Sequence, residues 1–439
     1  MKDPPPIVSR GNAYGPRPPR RTQVDVLLVS VTTDLDEIRA LVTSAGHRIK
    51  DAIVQRRARP DPLTFVGKGK LDEVQERVRQ GDVEIVVFNG ELRPTMHYQL
   101  ERHLGVECYD RLRVILELFA QRAATREAKL QVELALLQYE VPLLREWIHR
   151  ADAGERPGFM AGGEYRVDAY HETVKRRIGK IRDDLERIRR DRELRRALRK
   201  DRGFGVAALT GYANAGKSSL LNALTNEHLL VEGRMFSTLS TTTRFVPGVR
   251  AKVLLTDTVG LVDGVPFWMV EAFRATLEEV FQADLVLLLI DASDPVEEVR
   301  RKVRLAARTL LPQVLEGLVV PVLTKTDLLS EDQLAMKAGL LADSEFHREP
   351  LSVSILSGAG LADLRRVLEE TFSYPLEIRL VLALDDSTEA KLHWLYEHTD
   401  VLAVDRASDR VEALVRCRVR DRRAVQGLGR LTALRNLSP

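Results

Sequence analysis

Residues 210–219 read Thr210-Gly211-Tyr212-Ala213-Asn214-Ala215-Gly216-Lys217-Ser218-Ser219, directly after the apolar run Phe204–Leu209. Gly211 to Ser218 fits G-x-x-x-x-G-K-[ST], the spacing of a phosphate-binding loop. The glycines let the backbone curl so that successive N–H groups face phosphate oxygens. Lys217 then reaches the β- and γ-phosphates, and the Ser218 hydroxyl is placed to ligate Mg2+. The apolar helix start Leu220–Leu224 follows at once and aims a helix N-terminus at the same anion. Strand, loop and helix in this order predict a nucleotide-binding sheet.

Downstream, Phe236-Ser237-Thr238-Leu239-Ser240-Thr241-Thr242-Thr243-Arg244 is a polar, threonine-rich segment. A threonine here completes the Mg2+ shell when the γ-phosphate is present, and such a segment orders with nucleotide. Spacing alone does not choose Thr238 over Thr241–Thr243, which also read as an ordinary turn. Val253–Leu255 runs into Thr256-Asp257-Thr258-Val259-Gly260, a strand ending in D-x-x-G. Asp257 would hold Mg2+ through water, and the Gly260 N–H would sense the γ-phosphate. The buried-strand pattern Leu285–Ile290 ends in Asp291, and Leu318–Leu323 leads into Thr324-Lys325-Thr326-Asp327. Asp327 can accept hydrogen bonds from N1 and the 2-amino group of guanine, which adenine cannot supply, so the expected nucleotide is GTP. Val353-Ser354-Ile355-Leu356 is expected to close a last strand, where a backbone N–H meets the guanine O6. Such segments in this order, each ending a strand, describe a GTP-binding sheet.

The flanks define the rest. At 439 residues the chain has room for about three domains. Its net charge of +3 is too small to imply a nucleic-acid partner by itself, so any basic surface must be local. Cys108 and Cys417 lie far apart without metal-ligand spacing, as in a reduced cytoplasmic protein. No stretch approaches the roughly 18 uncharged apolar residues of a membrane span, so no membrane insertion is expected. Residues 1–22, rich in Pro and Arg, read as a disordered basic tail. Residues 23–110 alternate strand and helix patterns, a small α/β layer with a largely parallel sheet. Within it Phe65-Val66-Gly67-Lys68-Gly69-Lys70 opens a helix and reads as a structural turn or as an anion or nucleotide contact.

Residues 111–202 are expected to form a long helical hairpin. Leu130, Leu134, Leu137, Val141, Leu144 and Ile148 repeat at helical spacing, as do Val174, Ile178, Ile181, Leu185 and Ile188. The two stripes predict an antiparallel pair, with Pro142 kinking the first helix. The second helix carries Arg176, Arg177, Arg182, Arg187, Arg189, Arg190, Arg192, Arg195, Arg196 and Arg199, which outnumber its acids and favour RNA phosphate. Residues 203–373 form the G domain. Residues 374–439 read as a small α+β docking domain, with a hairpin from 401–404 and 411–419 and a final helix after Asp421.

This set resembles the HflX-type ribosome-associated GTPases over nearly the whole chain. The Gly67–Lys70 loop is similar to the family's glycine–lysine loop. Phe119-Ala120-Gln121-Arg122-Ala123-Ala124-Thr125-Arg126-Glu127-Ala128-Lys129-Leu130-Gln131-Val132-Glu133-Leu134 is close to its long F-A-Q-R-A-x-T-R-E signature, and Ala272–Glu279 matches as well. The resemblance selects Thr238 as the magnesium ligand beside Ser218, with Lys217 and Thr238 as the catalytic pair. It implies a Mg2+-dependent GTPase, expected to be monomeric, that binds the large ribosomal subunit and its rRNA and separates or rescues stalled ribosomes. It also raises ATP use by the N-terminal domain. In related GTPases an asparagine at the position of Asn214 can ligate K+, the alternative being ordinary loop hydrogen bonding.

The chain departs from the family in four places. Ala161-Gly162-Gly163-Glu164-Tyr165-Arg166-Val167-Asp168 replaces the bacterial hairpin-loop pattern and is closer to the archaeal branch. Thr324 replaces the Asn of N-K-x-D, Ile355 puts a bulky residue beside the base, and Leu261 follows D-T-V-G. A leucine there cannot orient an attacking water, so slow intrinsic hydrolysis is expected. Two other classes fit the same residues: a GTP-switched RNA-binding scaffold, and an RNA-remodelling ATPase centred on residues 64–70.

Overall fold

The computed structural model describes residues 23–81, 83–152, 162–201, 203–212, 214–225, 242–258, 274–314 and 318–437. The basic tail and most of the hairpin loop lie outside them. The chain forms two compact units, the first built on Met1–Ile188 and the second chiefly on Arg189–Val231, Thr241–Asp263 and Ala275–Pro439.

The first unit opens with β1 (Asp25–Ser30), α1 (Asp36–Ser44), β2 (Arg48–Val54), α2 (Lys68–Gln80), β3 (Ile85–Phe88), α3 (Pro94–Leu104) and β4 (Glu107–Asp110). The strands form a four-stranded parallel sheet in the order β2-β1-β3-β4. Its two central strands, β1 and β3, are apolar along almost their whole length because both faces are covered. Leu27, Val29, Val86 and Phe88 meet Leu71, Val74, Met96 and Leu100 from α2 and α3. Pro94 starts α3, and Gly105, at φ 72°, ends it in the left-handed conformation that favours glycine.

The region assigned to the hairpin starts with a separate helix. α4 (Arg111–Arg122) packs on α1, and α5 (Arg126–Asp152) begins only after Thr125, whose hydroxyl accepts the Ala128 N–H at 3.1 Å. Pro142 lies inside α5. α6 (Gly162–Asp201) is 40 residues long. Leu130, Leu134 and Leu137 of α5 pack against Val174 and Ile181 of α6, with Val141, Ile178, Leu185 and Ile188 alongside. The two stripes therefore bury each other.

A set of buried charges fixes the middle of α5. Asp110 accepts the Arg113 N–H at 2.8 Å, capping α4, and the Tyr139 hydroxyl at 3.0 Å. The Arg113 guanidinium donates to Glu140 at 2.8 Å. Burial pushes the Asp110 carboxyl above its ordinary range, against these donors.

The second unit holds a six-stranded sheet: β5 (Gly205–Gly211), β6 (Thr242–Phe245), β7 (Val253–Asp257), β8 (Leu285–Asp291), β9 (Leu318–Thr324) and β10 (Leu351–Ser352). Its order is β10-β9-β8-β5-β7-β6, parallel except for β6, which runs antiparallel to β7. Its helices are α7 (Lys217–Thr225), α8 (Arg274–Phe281), α9 (Val296–Leu310), α10 (Glu331–Ala342) and α11 (Leu361–Thr371). Along β8, Leu285, Leu287 and Leu289 face Leu220, Leu221, Leu364 and Leu368, while Val286, Leu288 and Ile290 face Val299, Val303 and Leu341. The continuous apolar run thus serves two cores at once. Thr242 and Thr243 belong to β6 rather than to a turn, and the Thr243 hydroxyl lies 3.0 Å from that of Thr256 on β7.

The remaining residues form β11 (Leu376–Ala383), α12 (Thr388–His398), β12 (Asp400–Arg406), β13 (Arg410–Cys417), α13 (Arg422–Leu428) and β14 (Arg430–Asn436). The antiparallel sheet has the order β12-β13-β11-β14. The chain does not end on the helix expected after Asp421: α13 is short and leads into β14. Lys252, just before β7, donates to the Glu397 carbonyl at 2.7 Å and the Tyr396 carbonyl at 3.2 Å, capping the end of α12 with a cation. No helix among the described residues is long and apolar enough to cross a membrane.

Candidate functional site

The carboxyl ends of the parallel strands in the second unit bring the sequence motifs to one edge. β5 ends in Gly211, whose φ is 142°; a Cβ there would lie 2.3 Å from the Leu289 carbonyl oxygen. Only glycine fits between this loop and β8. Asn214 and Gly216 also take positive φ, 61° and 88°. Asparagine tolerates that conformation better than most residues, which gives position 214 a backbone reason to carry it.

Lys217 starts α7 and is buried. Its ammonium donates to the Tyr212 carbonyl at 2.7 Å and the Gly211 carbonyl at 3.1 Å. An ammonium has three N–H bonds, so two fix it over the loop and one remains for a phosphate. Burial pushes its pKa down to about 8, and the nearby Asp257 carboxylate opposes that shift. Ser219 lies in the first turn of α7, where Leu220 donates to the Gly216 carbonyl at 2.8 Å.

The Ser218 hydroxyl donates to Asp257 at 2.7 Å. One hydroxyl and one carboxylate at the mouth of a phosphate loop form an all-oxygen donor set. That set suits a Mg2+ that takes the rest of its shell from phosphate and water. Asp257 is buried at the end of β7, and the next residue, Thr258, donates its hydroxyl to the Leu209 carbonyl at 2.7 Å. Ala213, Phe236, Ser237, Thr238, Leu239, Ser240, Val259, Gly260 and Leu261 lie outside the described residues.

The residues expected to read the base come from β9 and the turn after β10. Thr324 is fully buried, and its hydroxyl donates to the Ala215 carbonyl at 2.9 Å. Lys325, at φ 57°, pairs with Asp291 at the end of β8. Burial alone would raise the Asp291 carboxyl, but the bonds from Lys325 and Ser293 outweigh it and hold its pKa low. Asp327 sits in a single 3-10 turn, Thr326–Leu328, and accepts the Ser354 hydroxyl at 2.6 Å. The Thr326 N–H points to the Val353 carbonyl at 3.5 Å. Val353–Leu356 is not a strand: β10 stops at Ser352, and a turn follows in which Gly358 donates to the Ser354 carbonyl at 2.9 Å. Leu356 is exposed. Ile355 packs toward the core and approaches Gly216 rather than standing free.

Comparison with known proteins agrees with this arrangement along the chain. The family described as "GTP-binding GTPase N-terminal" matches residues 32–120, "GTP-binding GTPase Middle Region" matches 122–199, and "50S ribosome-binding GTPase" matches 206–323. The GTPase HflX of Thermococcus kodakarensis is 44% identical over 306 residues, covering 70% of this chain and 69% of its own length. That of Thermofilum pendens is 39% identical over 402 residues, covering 90% and 88%. The chain belongs to the HflX GTPase family. It is a GTP-hydrolysing enzyme, and the P-loop sheet described above is its G domain.

Two further features of this HflX-family chain bear on function. The glycine–lysine loop is the start of α2: Gly67 caps the helix, and Lys68 and Lys70 lie in its first turn. The Gly67 N–H is taken by the Gln55 side chain at 2.8 Å, and Lys70 pairs with Glu73 at 2.7 Å. A cleft of about 450 Å3 opens in the same domain beyond β1 and β2, lined by Thr32, Thr33, Arg56 and Arg57. The arginines of α6 divide into two groups. Arg177 pairs with Glu133 at 2.6 Å; Arg192 and Arg196 reach Glu279 of α8 at 3.7 and 3.1 Å, and Arg189 reaches Glu278 at 3.4 Å. Arg182, Arg187 and Arg195 are exposed and, among the described residues, make no ion pair. Sequence periodicity cannot separate these groups, because Glu278 and Glu279 are distant in the chain.

Proposed function

We propose that this HflX-family GTPase binds the large ribosomal subunit and its rRNA in the GTP state and splits or rescues stalled ribosomes. On this reading the ribosome stimulates hydrolysis, and the protein works as a monomer in the cytoplasm. The exposure of Arg182, Arg187 and Arg195 on α6, none of them in an ion pair among the described residues, carries the reading. A planar guanidinium suits phosphate bidentately, and structural pairing has used other arginines of the same helix. The ribosome-binding description of the family matched by residues 206–323 supports the same partner.

In the G domain, the loop N–H groups and Lys217 hold the phosphates, and Ser218 and Asp257, with Thr238, are the residues to hold Mg2+. When bound, the ion neutralises charge on the β- and γ-phosphate oxygens. Asp327 selects guanine. Leu261 supplies no hydrogen bond to an attacking water, so a partner must complete the site.

Sedimentation with isolated subunits tests the reading. With a non-hydrolysable GTP analogue the protein should travel with the large subunit and not the small one. The triple substitution Arg182→Glu, Arg187→Glu and Arg195→Glu should release it while leaving GTP turnover in isolation intact. Absence from both subunit fractions would favour a GTP-switched scaffold for another RNA.

A further inference from the structure

We infer that Thr324 is a positioning residue that ties the guanine-recognition loop to the phosphate loop, and that the guanine N7 consequently goes unread by this position. A hydroxyl has one hydrogen to donate. Thr324 directs it to the Ala215 carbonyl at 2.9 Å, with the Ile290 carbonyl second at 3.2 Å, and the side chain is fully buried. N7 of a purine is an acceptor, so it needs a donor. Thr324 has none left.

The tie reaches a sensitive point. Ala215 immediately precedes Gly216, where a Cβ would lie 3.5 Å from Ile355. The phosphate loop is thus braced at 215 by the loop carrying Asp327 and flanked at 216 by the turn carrying Ser354. Ser354 in turn donates to Asp327 at 2.6 Å. Phosphate and base subsites share this one chain of contacts, so loosening position 324 should weaken the whole nucleotide rather than one edge of the base.

Calorimetric titration with GDP and with 7-deaza-GDP, in which a C–H replaces N7, reads both parts. The wild-type protein should bind the two within about twofold, since no donor at 324 is lost. Thr324→Val should raise both dissociation constants together, by about tenfold, because the Ala215 carbonyl loses its donor. Thr324→Ser, which keeps the hydroxyl, should restore binding, and thermal melts of the three proteins check that they fold. Thr324→Asn brings a donor amide and should acquire a preference for GDP over 7-deaza-GDP. A wild-type preference for GDP of fivefold or more, or a Thr324→Val loss confined to GDP, would overturn the inference. It rests on the guanine reading of Asp327, and xanthosine diphosphate separates the two failures. If the wild type binds GDP and xanthosine diphosphate equally, the guanine reading fails and takes the inference with it. If xanthosine diphosphate is rejected but 7-deaza-GDP is also discriminated against, only the inference fails.

Discussion

Lys217 titrates within reach of ordinary buffers, and that makes the phosphate loop pH-sensitive. Its pKa falls from 10.5 to about 8 because burial disfavours the charged form. Between those values the unfolded chain binds more protons than the folded one, so the nucleotide-free protein gains stability as pH rises from about 8 to about 10.5. Nucleotide binding runs the other way. The phosphates restore the charge, so GDP binding at pH 8–9 should take up a proton, and affinity should fall as pH rises past about 8. Calorimetry in buffers of different ionisation enthalpy measures that proton directly; its absence would mean the lysine is already charged in the free protein. Asn214 offers a second test at this scale. If it ligates K+, turnover should be faster in KCl than in NaCl, and Asn214→Ala should erase the difference. Its left-handed backbone, at φ 61°, predicts the alternative: equal rates in both salts and a variant that is merely less stable.

Among the elements, the contact between α6 and α8 is one that sequence reading did not supply. Glu279 is buried and draws on both Arg192 and Arg196. The guanidinium groups keep partial solvent access, so Glu279→Ala should cost about 1–3 kcal/mol, less than breaking a fully buried pair. A double-mutant cycle with Arg196→Ala, read from urea midpoints, should give a coupling of about 0.5–2 kcal/mol; additivity would mean that the pair is incidental. Legibility followed the same division between local and distant. The P-loop, Asp257 and Asp327 could be read because each sits in a short fixed-spacing set at a strand end. The bond from Thr324 to Ala215 spans 109 residues and leaves no mark on either segment. β14 was missed because Arg430–Asn436 is an edge strand exposed at every position, so no alternation betrays it. The break between α4 and α5 was missed because Ala123-Ala124-Thr125 holds neither glycine nor proline to mark it.

For the whole molecule, docking and hydrolysis meet in turnover. Large subunits should raise the GTP hydrolysis rate by tenfold or more, equivalent to roughly 1.4 kcal/mol or more off the barrier. Raising the salt should weaken subunit binding steeply, since released counterions accompany each phosphate contact. Equal turnover with and without subunits would leave the docking reading without support. A different consequence follows from the sheet order. β5 is flanked in the finished domain by β7 and β8, both made later, and β8 ends about eighty residues after β5 does. At synthesis rates of ~5–20 residues per second, the strand feeding the phosphate loop waits roughly 4–16 s for its second neighbour. During that interval Val206–Leu209 is an apolar edge ready to pair with the wrong strand.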